Sequence, residues 1–250
     1  MKFKALLIAG CLGAGIAPAD TTLIYHDSNG NEQSKMLLTD GKVKMISSSE
    51  AETAVIFDAN KTVFTVINHA EKSFLEFGQR EIEALSDVSK MMDKMINEQL
   101  AQLPESQREQ MRGMMESMIK QKMPKQAPAP KYIKSGETKS YNDFGCEVVI
   151  KESQNAKDGE FCVTSYSKLG ISDTEYGAVA GFMKVAEKLA SQFGQDQSMN
   201  FEAIGQVIPV YFDMESQKGV LNTINNDDLP ADTFIVPVGY KQQSLPKELF

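Results

Sequence analysis

The 250-residue sequence has no tryptophan, only two histidines and only three cysteines. The histidines, His26 and His69, have no neighbouring His or Glu in the pattern of a zinc-binding motif, so we expect no mononuclear zinc site. The sequence also has no Gly-x-Ser-x-Gly elbow and no phosphate-binding glycine loop. We therefore expect that the protein is not an enzyme and that it needs no cofactor.

Positive charge is also scarce relative to negative charge, with 26 Lys and Arg against 34 Asp and Glu and a formal net charge of -8. An acidic chain repels the phosphate backbone, so we expect no nucleic-acid partner. No apolar run approaches the roughly 20 residues that a membrane-spanning helix requires. We therefore do not expect an integral membrane protein.

The N-terminal segment has the features of an export signal. Lys2 and Lys4 precede an apolar stretch over 5–16, and a small-x-small triplet, Ala-Pro-Ala, ends at Ala19. We expect cleavage after Ala19 and a periplasmic location. The alternative is a lipoprotein anchored at Cys11, which ends an Ile-Ala-Gly-Cys sequence. We favour cleavage, because the apolar stretch before Cys11 is shorter than is usual for a lipoprotein signal.

Removal of the signal would leave two cysteines, Cys146 and Cys162. An even number of cysteines in an exported chain indicates a disulfide. Both lie in segments with strand character that a turn-rich loop joins. Redox-active pairs are usually closer in sequence, as in Cys-x-x-Cys. We therefore predict a structural disulfide between Cys146 and Cys162.

The mature chain reads as one domain, 20–250, with four parts. Short β-rich runs separated by turns such as Asp-Gly predict an antiparallel meander over 20–78. Leu, Met, Glu and Gln at helical spacing predict a helical hairpin over 79–123. A proline-rich linker follows over 124–130, and 131–250 returns to strands around one amphipathic helix, 173–193.

Three details of this pattern are specific enough to check. Pro104 should break the hairpin into two helices, because proline fits the first turn of a helix and not its interior. Asp173 is the predicted cap of the later helix, and Gly194 its terminator. Thr233–Pro237 is predicted as the last strand.

Methionine is abundant, with fourteen in the chain. The candidate ligand-binding residues are the methionines of the hairpin: Met91, Met92, Met95, Met111, Met114, Met115 and Met118. Their thioethers could simply fill a core, or form an adaptable groove for apolar ligands. They could also dock a partner protein, or bind Cu(I), which prefers soft sulfur ligands.

Several segments resemble an uncharacterised family of bacterial exported proteins. Segment 68–76, Asn-His-Ala-Glu-Lys-Ser-Phe-Leu-Glu, is similar to that family's Asp-His-x-x-Lys-x-Tyr-x-Glu, with Asn68 in place of Asp and Phe74 in place of Tyr. The later similar segments are 103–111, 136–138, 145–146 and 229–241. Together they span most of the mature chain.

The resemblance implies an α+β fold like that of the periplasmic lipoprotein carrier LolA and its outer-membrane partner LolB. Such a fold is a curved, incomplete antiparallel β-barrel. The Met-rich hairpin and one further amphipathic helix would lie against its concave face, which receives acyl chains. The family has no established activity, so the resemblance assigns no catalytic residues.

The expected function is a periplasmic binding or carrier protein for an apolar ligand, which could be a lipid, an acyl chain or a lipidated peptide. Its partners would be a lipidated protein or a protein of the outer membrane or envelope. The alternative is a structural or protein-interaction module that uses the Met-rich helices as a docking surface. Methionine-based Cu(I) binding is a lesser alternative.

Overall fold

The computed structural model describes most of the chain beyond the predicted signal peptide. The described residues are 20–48, 52–85, 88–122, 130–153, 156–192, 199, 201–214 and 217–244. The predicted signal peptide, 1–19, and nearly all of the predicted linker, 124–130, lie outside them.

In the described part of the chain, twelve strands form one sheet. The strands are β1 Thr21–His26, β2 Glu32–Thr39, β3 Lys42–Ser47, β4 Thr53–Asp58, β5 Val63–Asn68, β6 Ser73–Phe77, β7 Lys131–Tyr141, β8 Phe144–Ser153, β9 Ala156–Ser165, β10 Val207–Met214, β11 Gln217–Asn225 and β12 Lys241–Gln243. Their order across the sheet is β12-β6-β5-β4-β3-β2-β1-β11-β10-β9-β8-β7, and every neighbouring pair is antiparallel except β12 and β6. The meander predicted over 20–78 is therefore present as six consecutive strands.

Tight turns set the register of these hairpins. Gly41, with φ 70°, follows Asp40 in the two-residue turn between β2 and β3. Asn142 and Asp143 have φ 45° and 70° in the turn between β7 and β8, as a type I′ turn requires of both central residues. Because these loops have two residues, each one determines which residues of its two strands face each other.

The helices are α1 Gln79–Leu85, α2 Val88–Ala101, α3 Glu105–Lys122 and α4 Asp173–Gln192. The predicted break is present, because α3 begins directly after Pro104. Ile96 and Leu100, four residues apart on one face of α2, are buried. The helix predicted over 173–193 corresponds to α4, which packs on β2, β3 and β4.

The predicted fold class is wrong: the sheet is open, and no helical hairpin lies against a barrel. Its edges, β7 and β12, do not meet. The main contacts of α2 and α3 are with each other and with α1. β12 has only three residues, while β7 carries lysines and a bulge near Gly136. Short, bulged or charged edges resist further pairing, and closure requires such pairing.

The final part of the chain also differs from the prediction. Thr233–Pro237 is not a strand, because Thr233 and Ile235 donate backbone hydrogen bonds to Pro230 and Asp232 in successive turns. The prolines that bound this segment favour turns, since proline has no N–H to donate to a sheet. The last strand instead begins at Lys241, whose N–H donates to Lys72 O at 2.9 Å, and it runs parallel to β6.

The disulfide prediction is confirmed. Cys146 on β8 is bonded to Cys162 on β9, with their Cα atoms 5.3 Å apart. Cys162 pairs in register with Val148, so the bond runs diagonally between the two strands. Both cysteines are buried in the larger of two hydrophobic clusters.

The smaller cluster joins one part of the sheet to the helices. Phe57 and Phe64 of the sheet pack against Phe182 of α4, with ring centroids 6.3 and 5.5 Å from it, and Ile82 of α1 completes the cluster. Aromatic contacts of this kind hold one part of α4 firmly on the sheet. The candidate site lies beside this filled region.

Candidate functional site: a cavity beneath helix α4

A capping box fixes the start of α4. The Ser172 Oγ accepts a hydrogen bond from the Glu175 N–H at 3.3 Å, and the Glu175 Oε2 accepts one from the Ser172 N–H at 2.8 Å. Ser172 is therefore the cap, whereas the sequence pointed to the next residue, Asp173. The Ser-x-x-Glu pattern was the signal that could have identified it. This arrangement determines where α4 starts over the sheet.

A cavity of about 850 Å³ lies between α4 and the sheet. Its lining is mainly apolar and comes from α4, from the central strands and from the segment before β10. The apolar residues that line it include Met36, Met45, Ile46, Val55, Val179, Met183, Met199, Phe201, Val207, Ile208 and Phe212. Such a volume falls within the range of about 300–1,000 Å³ typical of small-molecule sites.

The strand register divides the α4 side of β2, β3 and β4 into three rows, because directly paired residues point to the same face. The first row is buried and packed: Leu38, Val43 and Phe57. The second row lines the cavity: Met36, Met45 and Val55. The third row also lines it and carries hydroxyls: Ser34, Ser47 and Thr53. The surface thus changes along the strands from filled core to apolar wall to polar rim.

Gln33 adds an amide to this rim because of a β-bulge. Tyr25 pairs with Ser34 whereas His26 pairs with Glu32, which leaves Gln33 as the extra residue of β2. Regular alternation would point Gln33 and Ser34 to opposite faces, but both line the cavity. The Gln33 Oε1 is buried with no hydrogen-bond partner. An unsatisfied buried acceptor of this kind costs roughly 1–3 kcal/mol.

Tyr25 and Phe212 form the wall next to Gln33. The Tyr25 hydroxyl donates a hydrogen bond to Pro209 O at 3.0 Å, and its ring centroid lies 5.9 Å from that of Phe212. Burial raises the pKa of Tyr25 far above its ordinary value. Tyr25 is therefore a neutral donor, and it does not bring a negative charge to the cavity.

Two charged residues lie in the lining, Lys184 of α4 and Glu202 before β10, and the other lining side chains that the structure describes are uncharged. The Lys184 Nζ lies 3.9 Å from the Glu202 Oε2, and both side chains are about 70 % exposed. Their charges offset one another at the surface. The interior of the cavity therefore offers hydrogen bonds and apolar contact, and no net charge.

The predicted ligand-binding methionines that the structure describes, those of α3, do not line this cavity. Within the described part of the chain, the residues that line this cavity include none from α2 or α3. Met111 and Met115 are half-buried on α3, whereas Met114 and Met118 are 54 % and 53 % exposed. The side chains of Met91, Met92 and Met95 on α2 are outside the part that the structure describes.

The cavity has methionines of its own, Met36, Met45, Met183 and Met199, which sequence reasoning missed. A signal for two of them was present. The predicted Asp-Gly turn at 40–41 closes a two-residue hairpin loop, which places Met36 opposite Met45. The approach of α4 to this pair is a tertiary contact that the local pattern did not reveal.

Over the described residues, no group of three or more His, Cys, Asp or Glu side chains is placed to hold a metal ion. None of the described helices combines the length and the apolar character needed to cross a bilayer.

The fold and the site together define an open antiparallel sheet with an apolar cavity under one helix. No protein-family model matches the sequence, and no curated protein matches it. The resemblance to an exported family therefore stays a prediction.

Solved structures give only distant likenesses. An uncharacterized conserved protein from Thermus thermophilus aligns over 91 % of this chain and 91 % of its own, with 4 % identity and a TM-score of 0.44. A structure of PNGF-II aligns over 92 % of this chain with 6 % identity and a TM-score of 0.41, and the chain spans about a third (31 %) of the length of that protein. Likenesses at this level assign no function.

Proposed function

We propose that this protein is exported to the periplasm and binds an apolar ligand, as a non-catalytic binding or carrier protein, in the cavity between α4 and the sheet. The observation that carries the proposal is the cavity of about 850 Å³ with a mainly apolar, methionine-containing lining. Methionine side chains adapt to ligands of different shape, because they are flexible and polarizable. A lipid, an acyl chain or a lipidated peptide would fit this chemistry.

The disulfide supports the choice of compartment. Disulfides persist in oxidising compartments such as the periplasm and are rare in the cytosol of mesophiles. The bond between Cys146 and Cys162 is therefore compatible with export. An outer-membrane or envelope protein that donates or receives the ligand would be the partner of such a carrier.

The test is binding of the neutral fluorescent probe N-phenyl-1-naphthylamine to the purified protein and to the variant Ala180→Phe. Ala180 lines the cavity from α4, so a phenyl ring at this position occupies space that the probe would use. We expect saturable fluorescence enhancement with the native protein. In the variant we expect the affinity for the probe to fall roughly tenfold or more. The added ring takes up space in the cavity, and the loss of even a few apolar contacts has an effect of this size.

The matched control is Gly177→Phe, which places the same ring on the same helix at an exposed position where an added Cβ would meet no atom within 4 Å. This control should bind the probe like the native protein. Absence of saturable binding by the native protein would refute the proposal, and so would equal binding by Ala180→Phe in a correctly folded state.

A second candidate function, docking of a partner protein on α3, is favoured by the exposure of Met114 and Met118. Large exposed apolar side chains close together mark interaction surfaces more often than chance. The double variant Met114→Ser with Met118→Ser tests, in the same assay, whether these exposed methionines bind the probe. If the cavity is the site, this variant binds the probe normally. Loss of binding here, with Ala180→Phe unaffected, would instead assign the ligand to the helices.

A further inference from the structure

We propose that the ligand of the α4 cavity is a single-chain amphiphile with an uncharged head that carries hydroxyl or amide groups, the chemistry of a monoacylglycerol. The inference rests on the proposed function, because it names the chemistry of the molecule that occupies the same cavity. Its evidence is the order in which apolar and polar side chains follow one another along β2, β3 and β4.

The apolar part of such a ligand matches the middle row of the cavity wall. Met36 and Met45 face each other across β2 and β3, and Val55 continues the row on β4. Met183 on α4 lines the opposite wall. The packed row beneath, which includes Val43 and Phe57, closes the cavity on that side. An alkyl chain would therefore lie against the methionines and could not extend further along the strands.

The polar part of the ligand matches the rim, whose residues lie two positions away from the middle row on each strand. Ser34 and Ser47 pair directly, and Thr53 follows on β4, because Ile46 pairs with Ala54 one position earlier. Hydroxyls both donate and accept hydrogen bonds, so a row of them suits a head that does the same. A purely hydrocarbon ligand would make no hydrogen bond with this row.

Gln33 extends the polar end of the cavity beyond the hydroxyl row. A bulge turns it onto the cavity face beside Ser34, so it adds an amide to the rim. Its Oε1 is buried without a partner and lies close to Gly219, so this oxygen is not itself open to a ligand.

The charges of the lining favour an uncharged head. Lys184 and Glu202 lie 3.9 Å apart and offset each other, and no other described lining residue is charged. Burial raises the pKa of Tyr25 and of Tyr176, so both hydroxyls stay protonated. An ionic head drawn in beside Ser34 and Thr53 would lose its hydration without gaining a counter-charge, which is strongly unfavourable.

The experiment displaces N-phenyl-1-naphthylamine from the purified protein with three amphiphiles of the same saturated chain. They are monomyristoylglycerol, myristate at a mildly alkaline pH where it is ionised, and tetradecyltrimethylammonium, all kept below their micelle-forming concentrations. We expect monomyristoylglycerol to displace the probe at concentrations at least roughly tenfold lower than the two ions, the difference that one or two hydrogen bonds make.

The double variant Ser34→Ala with Thr53→Val tests the rim directly. This variant should lower the affinity for monomyristoylglycerol roughly tenfold, because only the hydroxyls are removed. The affinity for the probe, which has no hydroxylated head, should not change. The matched control is Ser140→Ala with Thr138→Val, which removes the same two groups from exposed positions on β7. This control should leave both affinities unchanged.

Gln33→Met supplies a measurement that does not depend on the hydroxyl variants. Removing a buried unsatisfied oxygen should raise the melting temperature of the free protein. Removing the amide from the rim should also lower the affinity for monomyristoylglycerol. A variant that is less stable than the native protein, or that binds monomyristoylglycerol as tightly, would count against the inference.

The two levels of the proposal fail in different ways. If the probe itself does not bind, the proposed function is wrong. If the native protein binds the probe and Ala180→Phe does not, the proposed function is supported. If the ionic amphiphiles then displace the probe as well as the neutral one does, only the uncharged head is refuted.

Discussion

Gly219 shows how a single residue shapes the wall of the cavity. A Cβ atom at this position on β11 would lie 2.5 Å from the Phe212 Cζ and 2.6 Å from the Gln33 Oε1. Both of these side chains line the cavity. The absence of a side chain at Gly219 therefore allows Phe212 and Gln33 to lie close to the sheet and keeps the cavity open.

We expect Gly219→Ala to destabilise the protein by about 1–3 kcal/mol, the usual cost of overpacking, because the Phe212 ring must move. The measurement is urea unfolding followed by circular dichroism. The comparison variant is Gly145→Ala on β8, where a Cβ would meet nothing within 4 Å and φ is not positive. An unfolding free energy for Gly219→Ala equal to that of Gly145→Ala would show that the close contact has no energetic consequence.

At the scale of the element, α4 matters most, because it supplies one wall of the cavity and packs on three strands. Its capping box satisfies two N–H groups that the first turn of a helix otherwise leaves without partners. Glu175 is 2 % exposed, so this contact is protected from competing water. The cap therefore contributes both to stability and to the position of the cavity wall.

We expect Ser172→Ala to lower the unfolding free energy by about 1 kcal/mol, within the range of 0.5–2 kcal/mol that is typical of lost N-caps. Thr174→Ala, two residues along the same turn, removes an exposed hydroxyl that lies 3.3 Å from the Ser172 Oγ but leaves both bonds of the capping box, so it should cost less. Thermal unfolding of the two variants side by side is sufficient. If Thr174→Ala is the more damaging change, the cap has been assigned to the wrong residue.

For the whole molecule, the disulfide joins β8 and β9 inside the larger hydrophobic cluster. The open sheet has two edges and no closure to stabilise it. A covalent bond near one edge restricts the unfolded chain and so favours the folded state. In the chain-entropy model, a loop that spans this separation of 16 residues contributes roughly 3 kcal/mol.

We expect Cys146→Ala with Cys162→Ala to lower the unfolding free energy by roughly 2–4 kcal/mol. Chemical denaturation with and without a reductant provides the internal check. The native protein should lose stability in the reductant, whereas the double variant should be insensitive to it. Equal sensitivity of both proteins would mean that the reductant acts elsewhere.

Much of the local structure followed from the sequence. The alternation of residues and the Asp-Gly turn predicted the N-terminal strands, the helical spacing and Pro104 predicted the break between α2 and α3, and the cysteine count predicted the disulfide. The prediction of a strand at Thr233–Pro237 was wrong. It relied on the β-rich composition of the segment and gave too little weight to the neighbouring prolines, which favour turns. The start of α4 was misplaced by one residue because Ser172 was overlooked in favour of Asp173.

What the sequence determined by itself was most of the elements, because turns, caps and periodicity act over a few residues. Only the tertiary structure decided that the sheet stays open and that the cavity lies beneath α4, since both depend on contacts between distant segments. Met36 and Met45 face each other through a local turn, but they line a cavity only because α4, more than a hundred residues later, lies over them. The methionines predicted to bind ligand belong to other helices, α2 and α3. Their abundance in one segment of the sequence could not show which side chains meet in space.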